Sequence, residues 1–171
     1  MIPGPIASLI VVVGVLLLML VELQLAYFNE RALRARGAVE PPDDPYRLMR
    51  LAYPGAFVAM GLEGATHALN RDALLAGLVL LGGAKLLKFW VIAALGDRWS
   101  FRNLALPGAP LISRGPYQFM RHPNYLAVIG EMLGVAFFMP APITGVIFIA
   151  AMGLILRKRI AVEERALGLR P

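Results

Sequence analysis

The segment from residue 115 to residue 125, GPYQFMRHPNY, concentrates polar chemistry beside an apolar stretch of the chain. It holds a cation at Arg121, an imidazole at His122 and an amide at Asn124, together with two prolines and two phenols. Pro123 disfavours helical backbone at the residue before it and fits the first turn of a helix. We therefore predict that Arg121 and His122 lie on irregular backbone, just before a helix that begins near Pro123 or Asn124. The free N–H groups and positive dipole end of such a helix suit a carboxylate or another anionic group.

A second polar cluster lies near the C-terminus, where Arg159 is followed by Glu163 and Glu164. Arg159 and Glu163 are four residues apart and share one face of a helix. Alone, this spacing is typical of a surface ion pair on a solvated tail, worth about 0.3–0.5 kcal/mol. Its position directly after an apolar stretch, on the same side of the membrane as Arg121 and His122, makes it a candidate part of one functional site.

Ionisable residues within apolar stretches form a third group, because such residues usually face a bundle interior or a wet cavity. Glu131 is either a structural carboxylate paired with Lys88 or Arg159, or part of a ligand site. Glu63 and His67 are four residues apart, and we predict that they form a buried structural pair rather than a catalytic one.

Two aromatic residues near the same membrane boundary, Trp99 and Tyr117, have two interpretations. They are either belt aromatics of the membrane interface or stacking surfaces for a purine ring.

The composition of the chain defines the elements that must position these residues. Of 171 residues, 58% are hydrophobic and 16% are charged, and the mean hydropathy is +0.67. Soluble domains contain about 25% charged residues. We predict an all-α integral membrane protein, a single domain over residues 1–171, with about five transmembrane helices, an irregular cytoplasmic segment from residue 96 to residue 120 and a C-terminal cytoplasmic helix. The predicted spans are about 6–27, 49–69, 73–95, 124–139 and 142–156.

The basic residues predict the orientation of these spans. They gather between spans one and two, between spans three and four, and after span five, while Arg71 lies on the opposite side. The positive-inside rule then places the N-terminus outside and the C-terminus, with the candidate chemistry, in the cytoplasm. Lys85 and Lys88 are expected to snorkel toward that side. The net charge of +6 is thus an orientation signal and an attraction for anionic membrane lipids, not a nucleic-acid footprint.

The sequence has no cysteine and two histidines, so we predict no metal site. A short chain without cysteines is expected in the inner membrane of a prokaryote.

At its polar clusters the chain resembles the isoprenylcysteine carboxyl methyltransferase family. The family carries a Gly-Pro-Tyr element, then Arg-His-Pro-x-Tyr, then a glutamate in the following helix, and a terminal Arg-x-x-x-Glu-Glu. Here these are GPY at 115–117, RHPNY at 121–125, Glu131, and Arg159 with Glu163 and Glu164. The resemblance covers about residues 85–167. Residues 87–110 are also similar to bacterial members associated with long-chain polyketide phenols and pyrones.

The resemblance implies S-adenosylmethionine as cofactor and methyl transfer to a carboxyl or hydroxyl oxygen of a lipophilic acceptor, such as a prenylcysteine or an alkyl-chain compound. An acceptor carboxylate is already ionised, and Arg159 would orient it, whereas a phenol or enol needs a base such as His122 or a glutamate. The implied cofactor-binding residues are Gly115, Pro116, Tyr117, Arg121, His122, Pro123, Asn124, Tyr125 and Glu131. The implied catalytic residues are Arg159, Glu163, Glu164 and His122, and the substrate-binding residues are Trp99 and Lys88.

Two other functions stay open at this point. Membrane sterol and steroid reductases also carry an Arg-His-Pro-Asn-Tyr element before a glutamate-bearing helix, and they would bind NADPH. The other alternative is a non-catalytic membrane scaffold or small transporter subunit. The terminal Arg-x-x-x-Glu-Glu and the short chain favour the methyltransferase.

Overall fold

The chain folds into α-helices joined by loops and one long irregular segment. The computed structural model describes residues 4–169, and 75% of the structure is helical. Within that range the helices are α1 (Gly4–Ala35), α2 (Tyr46–Gly64), α3 (Arg71–Leu95), α4 (Pro123–Phe138) and α5 (Pro142–Ala166). Two short 3₁₀ turns, Gly96–Arg98 and Gly115–Gln118, lie in the irregular segment between α3 and α4. The predicted all-α class is confirmed.

The two ends of the bundle differ in chemistry. At one end, called the site end below, the C-terminal ends of α1, α3 and α5 meet the N-terminal ends of α2 and α4. Contacts across this end include the Asn29 side-chain amide, which donates to the Trp99 carbonyl at 2.8 Å, and a backbone bridge between Val39 and Ala105. At the opposite end Gly64 packs against Met139.

Helices α3 and α4 approach to backbone contact because glycine leaves no side chain between them. A Cβ atom at Gly77 would lie 2.3 Å from the backbone nitrogen of Phe138, and one at Gly134 would lie 2.5 Å from that of Leu81. Small residues allow the same close approach in membrane helix pairs generally. This crossing fixes the start of α4 relative to the end of α3, and both carry residues of the candidate site.

Apolar side chains cover the outside of the bundle as well as its core. Phe57 and Met132 are fully buried between helices, while Val79 on α3 and Val146 on α5 are 75% and 69% exposed. Among the described residues, the helical segments Pro5–Ala35 and Arg71–Arg98 are long and apolar enough to cross a membrane, and α4 is apolar but shorter. The predicted number of five spans and their orientation remain predictions.

The connection at the opposite end differs from the prediction. Helix α2 ends at Gly64, whereas the predicted span reached residue 69. The predicted buried pair of Glu63 and His67 is wrong, because the Glu63 carboxylate accepts the backbone N–H groups of Ile143 at 3.0 Å and Thr144 at 2.7 Å. These are free N–H groups in the first turn of α5, where a carboxylate is favoured. His67 is exposed, and its ring contacts the Glu63 backbone carbonyl instead.

The site end contains longer helices than the predicted spans. Helix α1 continues to Ala35, beyond the predicted limit at residue 27, and α5 continues without a break to Ala166. The predicted helical continuation of span five is therefore confirmed.

Candidate active site

The polar segment 115–125 reaches the site end through two backbone features. Gly115 has φ of +62°, and a Cβ atom there would lie 2.8 Å from the Cβ of Ala94. Helix α4 begins at Pro123, and His122 precedes it with φ of −128° and ψ of 57°, outside the helical region. The predicted proline-started helix is confirmed, and Gly115, Pro116 and Pro123 shape the backbone rather than line the cavity described below.

The start of α4 contacts the C-terminal part of α5, as the sequence predicted. His122 Nε2 lies 3.1 Å from Glu164 Oε1, and Nδ1 lies 3.6 Å from Glu163 Oε2. The Tyr125 hydroxyl donates to Glu163 Oε2 at 2.7 Å, and its ring stacks on the His122 ring with centroids 5.7 Å apart. One imidazole thus lies between two carboxylates and a phenol.

The electrostatics of this cluster favour a charged imidazole. The Glu163 carboxylate first, and the Glu164 carboxylate with it, raise the pKa of His122 above its ordinary value, although burial acts in the opposite direction. Burial, with the nearby Glu163 charge, raises the pKa of the Tyr117 phenol, so that phenol stays neutral. His122 therefore holds its proton over a wider pH range than a free histidine does.

Arg159 is tied to residues that the sequence analysis did not single out. Its Nε lies 3.2 Å from Asp44 Oδ1, an ionic contact without hydrogen-bond alignment, and one terminal nitrogen donates to the Phe101 carbonyl at 2.7 Å and to Asn103 Oδ1 at 3.0 Å. The Tyr125 hydroxyl lies 3.2 Å from the same Asn103 oxygen. Asp44 lies in the acidic, proline-rich stretch EPPDDP at 40–45, which is the one sequence signal that could have drawn attention to it.

A cavity of about 840 Å³, called the chamber below, connects these groups to the apolar part of the bundle. Most of the predicted site side chains line it, namely Lys88, Trp99, Tyr117, Arg121, His122, Asn124, Tyr125, Arg159 and Glu163. Its other end is apolar and includes Leu16, Met19, Leu20 and Leu23 of α1 and Val128 of α4. Glu164 lies behind His122 and is not part of the lining.

Some buried polar atoms at the chamber have no hydrogen-bond partner in the described part of the chain. Trp99 is 1% exposed, and its indole N–H is unpaired. The same holds for Asn124 Oδ1 and His122 Nδ1. Buried polar groups normally find partners; His122 Nδ1 faces the Glu163 carboxylate at 3.6 Å, whereas Trp99 Nε1 and Asn124 Oδ1 have no such neighbour among the described contacts.

Lys88 belongs at the same time to a buried ion cluster formed by Glu22, Lys85, Lys88 and Glu131. Lys88 Nζ lies 2.6 Å from Glu131 and 3.3 Å from Glu22, and Lys85 Nζ lies 3.1 Å and 2.9 Å from the same two carboxylates. The expected snorkelling of the two lysines is wrong, because both side chains are buried with carboxylates between helices. Glu131 adopts the structural pairing with Lys88, one of its two alternatives, and is not among the chamber-lining residues. Its implied contact with a cofactor stays a prediction.

The helices and the chamber define a class of protein: a small helical protein with two helices, within its described residues, that could cross a membrane, and a chamber lined by both polar and apolar side chains. The chain belongs to the isoprenylcysteine carboxyl methyltransferase (ICMT) family, whose sequence model matches residues 73–168. Family membership implies methyltransferase activity in a membrane protein.

Two relatives cover most of the chain. YpbQ of Bacillus subtilis, described as an uncharacterized protein, is 27% identical over 147 residues, which are 85% of this chain and 88% of the relative. An uncharacterized protein of Haemophilus influenzae is 29% identical over 149 residues, 86% of this chain and 87% of the relative. No solved structure gives a significant match to the chain.

Proposed function

We propose that the protein transfers a methyl group from S-adenosylmethionine to a carboxyl or hydroxyl oxygen of a lipophilic acceptor that carries a prenyl or alkyl chain. The observation that supports this most directly is the two-ended chamber. Pockets for small ligands have volumes of about 300–1,000 Å³, and the chamber, at about 840 Å³, is at the upper part of that range. Such a volume suits two ligands, a polar donor and an apolar acceptor.

The polar end fits the chemistry of the donor. The exposed Arg121 and the Asn124 backbone N–H in the first turn of α4 suit its carboxylate. The unpaired Asn124 Oδ1 suits an ammonium or amine N–H, and the Tyr117 ring offers a flat surface for adenine. Glu163 provides a negative charge at the polar end of the chamber, which suits the positively charged sulfonium of the cofactor. When bound, the cofactor supplies the activated methyl group.

The apolar end fits the chain of the acceptor. The lining residues of α1 belong to a helix whose neighbouring side chains, such as Leu17 and Val21, are 57% and 66% exposed and face the lipid. An alkyl or prenyl chain therefore reaches the chamber from the bilayer without crossing water. The unpaired N–H of Trp99, a lining residue, supports its assignment as a donor to an acceptor oxygen.

The chain's own contribution to the reaction is mainly alignment in a dry cavity. Alignment of two reactants is worth about 7–11 kcal/mol at best. An acceptor carboxylate needs no proton transfer. An acceptor hydroxyl must give up its proton, and His122 is a poor base because its neighbouring carboxylates keep it protonated. Glu163 is then the carboxylate that accepts this proton, with the Tyr125 hydroxyl holding it in place. We also propose that the protein lies in the inner membrane of a prokaryote, with its site end facing the cytoplasm.

The test uses purified full-length protein in detergent with S-adenosylmethionine labelled in the methyl group. Prenylcysteine, alkylpyrone, long-chain phenol and phospholipid acceptors are offered separately, and we expect label in one lipophilic class. Binding of S-adenosylhomocysteine is measured by calorimetry on His122→Gln and on His67→Gln, a matched control at the opposite end. His122→Gln should weaken binding while His67→Gln should not. No labelled acceptor, or an equal effect of the two substitutions, contradicts the proposal.

A further inference from the structure

The connection between α1 and α2 lies outside the family match at residues 73–168, yet it supplies a buried carboxylate to Arg159, which lines the chamber. We infer that Asp44 is a positioning and specificity residue, which neutralises Arg159 and so makes the buried part of the chamber favour an uncharged acceptor head over an anionic one. This inference rests on the proposed function and narrows its acceptor class.

The pair is buried on both sides. The side chain of Arg159 is 4% exposed and that of Asp44 is 1% exposed. Besides the 3.2 Å contact to Arg159 Nε, the second Asp44 oxygen lies 3.5 Å from a terminal nitrogen of the guanidinium and accepts the backbone N–H of Asn103 at 3.2 Å. A guanidinium with a carboxylate on one edge and carbonyl oxygens on another has little charge left for an acceptor.

The other buried cations of the described chain near the chamber are also compensated. Lys85 and Lys88 are matched by Glu22 and Glu131 in the ion cluster. Among residues 4–169, three lining arginines have no carboxylate within salt-bridge distance, namely Arg50, Arg98 and Arg121. Arg50 and Arg121 are exposed to solvent. An ionised acceptor head next to Arg159 would thus have to share that cation with Asp44, which is unfavourable for a buried charge.

The connection that carries Asp44 is held firmly in place. Glu40 accepts a hydrogen bond from Arg102 at 2.6 Å and is also paired with Arg34. The backbone of Val39 pairs with that of Ala105, and Asp43 is paired with Arg165 at the surface. Asp44 and Asp43 are therefore neighbours with one arginine partner each on α5, one pair buried and the other exposed.

These neighbours provide a matched experiment on the full-length protein in detergent. Asp44→Asn and Asp43→Asn have the same chemistry, and binding of palmitate is compared with binding of hexadecanol, which has the same chain and no charge. With Asp44→Asn, Arg159 loses its counterion, so we expect palmitate to bind about tenfold tighter, a difference of about 1.4 kcal/mol. Hexadecanol binding should stay within about twofold, and Asp43→Asn should change neither. Unchanged palmitate binding in Asp44→Asn, an equal effect in Asp43→Asn, or no binding of either probe to the wild type overturns the inference.

Further variants separate this role from simple support of the fold. The double variant Asp44→Asn with Arg159→Gln no longer carries the uncompensated positive charge of Arg159, so its affinity for palmitate should return to the wild-type value. Arg159→Gln alone leaves Asp44 without its cation, and palmitate should bind more weakly than to the wild type. This variant keeps the inference testable if Asp44→Asn does not fold, and stronger palmitate binding in it overturns the inference. Palmitate binding does not depend on methyl transfer. If the labelling experiment fails but the palmitate affinities change as expected, only the proposed function is contradicted.

Discussion

The buried ion cluster gives the sharpest prediction about stability. Glu131 is fully buried, receives Lys88 at 2.6 Å and Lys85 at 3.1 Å, and accepts the Tyr53 hydroxyl at 2.6 Å. Glu131→Gln keeps the size of the side chain but leaves two cations with the single carboxylate of Glu22. Lys88→Met leaves two carboxylates with the single cation of Lys85. Each substitution therefore produces an uncompensated charge in the bundle interior.

The magnitude follows from the burial. Removal of one partner from a buried ion pair destabilises a protein by about 3–5 kcal/mol. For a chain of this length about 1 kcal/mol corresponds to about 2–4 °C in Tm, so each single variant should lose about 6–20 °C. The double variant Glu131→Gln with Lys88→Met leaves Lys85 and Glu22 as one neutral pair, 2.9 Å apart. Its loss of unfolding free energy should be about 3 kcal/mol smaller than the sum of the two single losses. This is the upper limit of the interaction energies found for residues in contact.

The assay is thermal unfolding of all four proteins in one detergent, followed by circular dichroism at a single scan rate. Lys158→Met, on the exposed face of α5, is the control for loss of a lysine and should change Tm little. Strictly additive effects of Glu131→Gln and Lys88→Met would refute the idea that charge balance holds the cluster. Binding of S-adenosylhomocysteine to Glu131→Gln, measured below its unfolding temperature, then tests the implied cofactor contact of Glu131, because a purely structural carboxylate leaves that affinity unchanged.

Two other predictions concern packing and pH. Gly134→Ala places a Cβ atom against the backbone of Leu81 and should destabilise the protein by about 1–3 kcal/mol in thermal unfolding. The control Gly83→Ala, on α3 with open space around it, should be neutral or slightly stabilising. Equal losses of stability in the two variants would contradict the described crossing of α3 and α4. The pKa of His122 is raised in the folded protein, so its stabilising contribution is complete below the ordinary histidine value of 6.5 and disappears as pH rises through the raised value. The drop in Tm on going from pH 6 to higher pH should be smaller in His122→Asn than in wild type or His67→Asn, and an unchanged drop would show that His122 is not its source.

The sequence predicted the elements that depend on local chemistry. Pro123 marked the start of α4, the apolar stretches marked the helices, and the Arg159–Glu163 spacing marked a helical face that indeed reaches His122. These predictions succeeded because backbone preferences and helical periodicity act over a few residues.

The partners of these residues could not be predicted in the same way. Asp44 and Arg159 are 115 positions apart, and no local pattern links them. Glu63 was assigned to His67 because the spacing fits one helix, whereas the free N–H groups of α5 are the stronger partner for a carboxylate. Glu22 was passed over as one charge in the first apolar stretch, although it is the counterion of two lysines. In each case the partner is determined by which residues lie close together in the folded chain, and not by their spacing in the sequence.

The pairing of Glu22 has a consequence for how the chain is assembled during synthesis. Glu22 is synthesised with α1, but its cation Lys85 is 63 positions later on α3, and Glu131 comes later still with α4. A nascent chain that has released only α1 and α2 carries an acidic group with no buried counterpart, and one that stops after α3 carries an excess of positive charge. Charge balance in this cluster is reached only when the fourth helix docks, so the core of the bundle is completed late, by the helix that begins at Pro123, directly after His122.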